Sequence, residues 1–322
     1  MNSDIRELLP FPGTSGPVSA APMVRTPPRH GAGGLAIGLA LSGGGARGLG
    51  HAAAIAALDD LGIRPAAIAG SSIGALMGVG AAAGITGREL AALAAAHFLD
   101  RRTFLGKLWQ LRPPRFMDLF GPSGSLLQPE RIVDLVLPDH LPETFEGLGI
   151  PFTAVAADYY GWREVRLTTG DLRSAIAGSI AIPGLFRPVT REDVVLVDGS
   201  IVNPMPFDVL PDELDLVIAV DVVNGPTRRG KRLIPPPRRA LFGSIQILMQ
   251  AVVQEKLRRR QPDVVLRPDI NRFGVLDFLK AREILAAAEP LRESAKRTIG
   301  DAIEARLAAP ALSRRADRGK SL

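Results

Sequence analysis

The sequence predicts an α/β fold built on a mainly parallel sheet. Short apolar runs alternate with helical patterns, two glycine-rich turns each join such a run to the helix after it, and three later apolar runs each finish on an aspartate. The run Leu35 to Leu41 (LAIGLAL) ends in glycines, and apolar residues at helical spacing follow from Leu49 to Leu61, which makes a β-turn-α unit. The unit repeats in kind. Ala66 to Ala69 reads as a short strand after Pro65, Gly70 and Ser71 turn it, and Ile73 to Ala83 continues as a small-residue helix that Gly84 stops.

From about residue 100 to 150 the pattern becomes irregular, with Pro113 and Pro114, the turn GPSGS at 121–125 and a short helix expected from Pro129 to Leu137. A lid over a substrate and a plain connecting loop both fit this composition. The aspartate-terminated runs are Phe152 to Asp158 (FTAVAAD), Val194 to Asp198 (VVLVD) and Leu216 to Asp221 (LVIAVD). In open parallel sheets, ligands meet the carboxyl ends of strands, so each acid is placed where chemistry can use it. An amphipathic helix is expected over 240–257, a last strand over Asp263 to Leu266, and two helices over 275–308 separated near Pro290.

With 322 residues and 46% hydrophobic content, the chain can form one large α/β domain or two small ones. It has no cysteine, which excludes disulfides, a thiol nucleophile and cysteine-based zinc or iron–sulfur sites. Residues 1–33 are rich in proline and lack an apolar signal-peptide core, so they read as a disordered arm. The longest apolar stretch, Ile73 to Ile85, is shorter than the roughly 20 residues a spanning helix needs. Of the net charge of +6, residues 225–260 hold ten Lys/Arg against Glu255 alone. Such a window suits phosphate head groups or nucleic acid, and it equally suits a solvated loop and helix end. Phe242 is its one aromatic and no binding module is recognisable, so no nucleic-acid partner is expected.

The two glycine turns, GGGARGLG at 43–50 and GSSIG at 70–74, invite different chemistry. Gly43, Gly45 and Gly48 have dinucleotide spacing, but that fingerprint needs an acid ending the next strand, which here reads AIAGSS; Asp59 and Asp60 come too early. Neither turn carries a Gly-Lys-Ser/Thr, so no nucleotide cofactor is expected. GSSIG keeps its context: Ser72 falls at a strand-to-helix turn, where Gly70 and Gly74 remove side chains that would clash in a sharp elbow. The competing assignment makes Ser72 a helix N-cap.

A Ser-Asp-His order needs a histidine after the acid, yet the four histidines, His30, His51, His97 and His140, all precede residue 141. A carboxylate in direct contact with the serine can replace histidine if burial lifts its pKa from about 3.9. Asp198 is the best placed, because Gly199 leaves it open to approach, whereas Asp158 is followed by Tyr159 and Tyr160 and Asp221 by Val222 and Val223. A turn-capping role for Asp198 stays open. In this scheme Gly43, Gly44 and Gly45 offer backbone N–H groups to a developing oxyanion, helped by a helix expected to begin near Ala46.

GGGARG at 43–48, GSSIG at 70–74 and DGS at 198–200, in that order, resemble the patatin-like phospholipase family, and SAIAGSIAIPGLFRPV at 174–189 is similar to the segment preceding its dyad aspartate. The resemblance covers about residues 34–290. It implies Ser72 as nucleophile, Asp198 as its base, an oxyanion hole from the Gly43, Gly44 and Gly45 amides with Arg47 holding the loop, and Gly48, Gly70, Gly74 and Gly199 as motif glycines. It further implies a three-layer α/β/α sandwich, no metal or other cofactor, and acyl esters of lipids as substrates. Ser200 departs from the family, which usually has Gly or Ala there.

On this reading, residues 34–308 are the acyl hydrolase domain and 309–322 a basic disordered tail. The protein is expected to be cytoplasmic, with peripheral contact with an anionic membrane surface left open. A regulatory or scaffold protein on the same fold is the rival from another class. Leu241, Phe242, Ile245, Leu248, Met249, Val252, Val253 and Leu257 form one broad face of the 240–257 helix, which suits either a lipid surface or the core.

Overall fold

Ile37–Leu41 (β1), Ala67–Ser71 (β2) and Leu216–Val220 (β7) are buried at every residue. That is why they read as unbroken apolar or small-residue runs: a parallel strand covered on both faces has no polar side to alternate with. The computed structural model describes residues 34–99, 127–228 and 234–308. The expected arm 1–33, the tail 309–322, the irregular segment before Leu127, and Arg229, Lys231 and Arg232 of the basic window lie outside the described residues.

The chain adopts a mixed α/β fold with a central sheet and flanking helices. The strand order is Val189–Arg191 (β5), Val194–Asp198 (β6), Phe152–Asp158 (β3), β2, β1, β7 and Val264–Leu266 (β8), with Arg163–Leu167 (β4) also on β3. Strands β3, β2, β1, β7 and β8 run parallel. Strands β4, β5 and β6 make antiparallel pairs.

The rule that picked out strand-terminal acids therefore holds for Asp158 and Asp221 but not for Asp198, whose strand runs the opposite way. The cause is local. Glu192 and Asp193, at φ 47° and 62°, form a two-residue hairpin turn between Arg191 and Val194. Two successive positive φ values are the mark of a type I′ turn, which forces β6 back along β5.

Both faces of the sheet are covered, unequally. Ile37, Leu39, Leu41, Leu216, Ile218 and Val220 pack on one side with His51–Asp60 (α1), Ile73–Ala82 (α2) and Gly87–Leu99 (α3). That side also receives Pro129–Val136 (α4) and Leu172–Ser179 (α5). Ala36, Ala40, Val217 and Ala219 face the other way, onto Met205, Phe207, Leu210, Leu214 and Val253.

Val253 belongs to Pro237–Arg259 (α6), longer at both ends than the helix expected over 240–257. Its broad apolar face splits along its length. Val253 is fully buried, with Met249 and Leu257 packed beside it, whereas Leu241 and Leu248 are 63% and 67% exposed. The basic residues at its C-terminal end are engaged by acids: Lys256 by Asp208, Arg258 and Arg259 by Glu255, and Arg260 by Asp212. Ala281–Ala288 (α7) and Pro290–Ala308 (α8) follow, divided at Pro290 as expected.

Candidate active site

β2 ends at Ser71, opposite Val155 of β3; β6 ends at Asp198, opposite the next residue, Ala156. Because β4 occupies the other edge of β3 over the same residues, β2 and β6 share one edge and meet end to end. Ser72 therefore emerges beside Asp198 and donates its Oγ–H to Asp198 Oδ2 at 2.5 Å.

Ser72, with φ 55° and ψ −126°, occupies the N-cap position just before α2 but makes no side-chain cap bond, its hydroxyl going to Asp198 instead. A non-glycine residue held at positive φ stores strain of about 1–3 kcal/mol and persists only where its surroundings fix it. They do so here. A Cβ on Gly74 would stand 2.2 Å from Leu41 O, and one on Gly70 2.4 Å from Gly74 O. Sequence reasoning missed Ser179, the last residue of α5: the Ser72 N–H donates to its Oγ at 3.0 Å, and its hydroxyl donates to Val155 O at 2.6 Å. It lies within the quoted segment 174–189, the one signal that pointed to it.

Asp198 is 4% exposed. Its two oxygens do different jobs, so the two sequence readings coexist: Oδ2 holds Ser72, while Oδ1 accepts from the Ser200 N–H at 2.8 Å and caps a 3-10 turn over Gly199–Ile201. Burial pushes its pKa up to about 6, against the opposing pull of the bonds from Ser72 and Ser200. Gly199 is required because a Cβ there would lie 2.0 Å from Val155 O. Asp158 and Asp221 are committed elsewhere, to Gly161 and Arg163 and to Val223 and Arg267.

The glycine loop divides differently from expectation. Gly43 commits its N–H to Pro204 O at 2.9 Å, and Ala46 donates to Val275 O at 2.7 Å. The N–H groups of Gly44 and Gly45 find no acceptor among the described residues. The regular helix starts at His51; Gly45–Gly50 is a 3-10 turn, whose Gly48 packs against Ile73 where a Cβ would be 2.2 Å from Cγ2. Arg47, 1% exposed, donates to Val223 O and to Gly44 O, and the Gln246 side-chain amide, turned oxygen-first, lies 3.2 Å from its Nη1. The Ser200 hydroxyl sits 3.4 Å from Ser71 Oγ, in the space a Cβ on Gly43 would need.

His51 is buried behind this loop, its Nε2 2.8 Å from Ser42 O, and burial lowers its pKa to about 4. His97 and His140 line neither cavity beside Ser72, and His30 lies outside the described residues. Among the described residues no group of three or more His, Asp or Glu side chains is placed to share a metal ion.

Two apolar cavities flank the serine. One of about 320 Å³ runs between α2, α3 and α4 and is lined by Leu76, Met77, Leu90, Val136 and Leu279 among others. Part of the segment weighed as a lid thus forms a wall of it, through Leu127 and α4. The second, about 210 Å³, lies beneath the N-terminal half of α6. Gly45, Ser72 and Ile182 border both.

Residues 39–211 match the family described as patatin-like phospholipase. An NTE family protein of Mycobacterium tuberculosis is 38% identical over 190 residues, which cover 59% of this chain and 49% of that protein. Lysophospholipase NTE1 of Mycosarcoma maydis is 33% identical over 193 residues, covering 59% of this chain and 10% of its own length. The chain thus spans about half the length of its mycobacterial relative. Among solved structures, VipD of Legionella pneumophila aligns with a TM-score of 0.40 at 14% identity, over 83% of this chain and 67% of VipD.

Proposed function

The chain belongs to the patatin-like phospholipase family, whose match takes in more than half of its residues, and from that premise we propose that it is a serine acyl-ester hydrolase of lipid esters working through Ser72 and Asp198. The observation that carries the reading is the Ser72 Oγ–H donated to a buried carboxylate at 2.5 Å. A pKa lifted to about 6 makes Asp198 a better base than an exposed aspartate while leaving it ionised at neutral pH.

In the proposed cycle, Asp198 takes the hydroxyl proton as Ser72 Oγ bonds to the ester carbonyl carbon. The Gly44 and Gly45 N–H groups receive the oxyanion, and Gly43 and Arg47 hold their loop. Collapse of the tetrahedral adduct breaks the carbon–oxygen bond to the alcohol, whose oxygen takes the proton from Asp198. Water then attacks the acyl-serine, giving its proton to Asp198, which returns it to Ser72 Oγ as the fatty acid leaves. No histidine is needed.

We assign this activity to residues 34–308, and the cover on both sheet faces supports a three-layer α/β/α reading. No helix among the described residues is long and apolar enough to cross a membrane; the proposal is peripheral access to lipid. A fluorophosphonate probe tests the reading. The wild type should be labelled on Ser72 and Ser72→Ala should not, whereas a scaffold that only binds would take no label.

A further inference from the structure

The two cavities are not equivalent, and the difference assigns them. Asp198 and Ser200 border the smaller cavity and not the larger. If Asp198 returns its proton to the departing oxygen, that oxygen must lie on the Asp198 side of Ser72. The acyl chain is left with the larger cavity, which Asp198 does not reach. This assignment rests on the hydrolase reading above.

The smaller cavity has walls of a definite chemistry. Phe242, Ile245 and Met249 of α6 roof it, and Ile182 and Val275 face them. Among the described residues lining it, the charged side chains are Arg47 and Asp198, and both are engaged: Arg47 with Gly44 O and Val223 O, Asp198 with Ser72 and Ser200. A phosphate seated there would lose water and face the Asp198 carboxylate with no unengaged cation among the described lining residues, and a quaternary ammonium, though drawn to that carboxylate, would lower its pKa and oppose the proton it must take from Ser72. Leu248, 67% exposed, and Ile201, 45% exposed, continue the apolar lining to the surface.

We propose that the cavity beneath α6 is a leaving-group subsite for an uncharged, apolar alcohol, with Phe242, Ile245 and Met249 setting the preference. The substrate class is then an ester with apolar groups on both sides of the carbonyl, in preference to one whose alcohol carries a charged head group close to the ester.

The test uses octanoyl esters of methanol, hexanol and choline, kept below their aggregation concentrations, with kcat/KM measured for each. The hexyl ester should exceed the methyl ester by at least about tenfold, a factor within reach of apolar burial, and the choline ester should fall below both. Phe242→Ala and Ile245→Asn should each lower the hexyl-to-methyl ratio about tenfold without altering the octanoyl-to-butanoyl ratio of the methyl esters. Leu279→Asn, in the wall of the larger cavity, should do the reverse. A choline ester that matches the hexyl ester, or α6 variants that change the acyl ratio instead, overturns the subsite while the methyl ester still reports a working hydrolase. Failure to hydrolyse any ester overturns the hydrolase reading and the subsite with it.

Discussion

Ser71 and Asp198 stand opposite neighbouring residues of one strand, Val155 and Ala156 of β3. The serine that follows the first and the carboxylate of the second are thereby brought to 2.5 Å by backbone pairing, before any loop is invoked. Sites set on sheet backbone are held more accurately than sites set on loops.

Ser72→Ala should reduce ester hydrolysis by about 10⁴ or more, the scale at which loss of a nucleophile leaves only binding and oxyanion contacts. Ser71→Ala should be mild. Ser72→Gly should be equally inactive but more stable than Ser72→Ala by about 1 kcal/mol, because glycine tolerates the positive φ. Urea titrations of the two variants check the difference, since both have lost the same bond to Asp198.

Asp198 and His51 should impose opposite pH slopes on stability across one window. The pKa of Asp198 rises from 3.8 to about 6 on folding, so its contribution is full below the unfolded value and is lost as pH rises through 6. That of His51 falls from 6.5 to about 4, so its contribution is present above 6.5 and is lost as pH falls toward 4. Each amounts to about 3 kcal/mol, and in the wild type they largely offset. Asp198→Asn should uncover stability that rises from pH 4 to 6, and His51→Gln stability that falls. Parallel curves for the two variants would contradict the assignment. Hydrolysis by the wild type should decline as pH drops through about 6, as Asp198 takes up its proton.

Ser179→Ala removes the hydroxyl bridging the Ser72 N–H and Val155 O. It should lower kcat about 10- to 100-fold with little change in KM, and lower stability by about 1–3 kcal/mol, as expected for stranding buried partners. Ser179→Thr, which keeps the hydroxyl, should recover part of kcat. An equal loss in both variants would point to packing alone.

Replacing Glu192 and Asp193 by Asn and Gly should stabilise the protein by about 1 kcal/mol, because both positions have positive φ. A rise in melting temperature with unchanged ester turnover is the expected outcome.

The elbow was legible because its glycines answer to contacts within the motif or on the neighbouring strand, as Gly70 does against Gly74 O and Gly74 against Leu41 O, whereas the glycine loop was legible only as a run of three glycines, since Gly43, Gly44 and Gly45 answer to Ser200, Val222 and Val275 far along the chain. Asp198 was legible for partly the wrong reason. Its apolar strand and Gly199 marked it, but the direction of that strand depends on a Glu-Asp pair that carries no Asn-Gly turn signature. Which glycine amides remain available was hidden, since Gly43 is claimed by Pro204, more than 150 residues away in sequence. Ser179 was hidden for the same reason: one of the two serines in α5 announces nothing until the strand carrying Val155 is laid beside it.

The end-to-end meeting of β2 and β6 has a consequence for how errors are expressed. Side chains alternate across a strand, so sliding β6 by one residue along β3 replaces Asp198 with Val197 and points the carboxylate to the opposite face. On the proposed mechanism no intermediate register offers a weaker base, so mispaired molecules should be silent and correctly paired ones fully competent. A mixed preparation should therefore titrate with a serine-directed probe to less than one site per chain, while every labelled site turns over at the same rate.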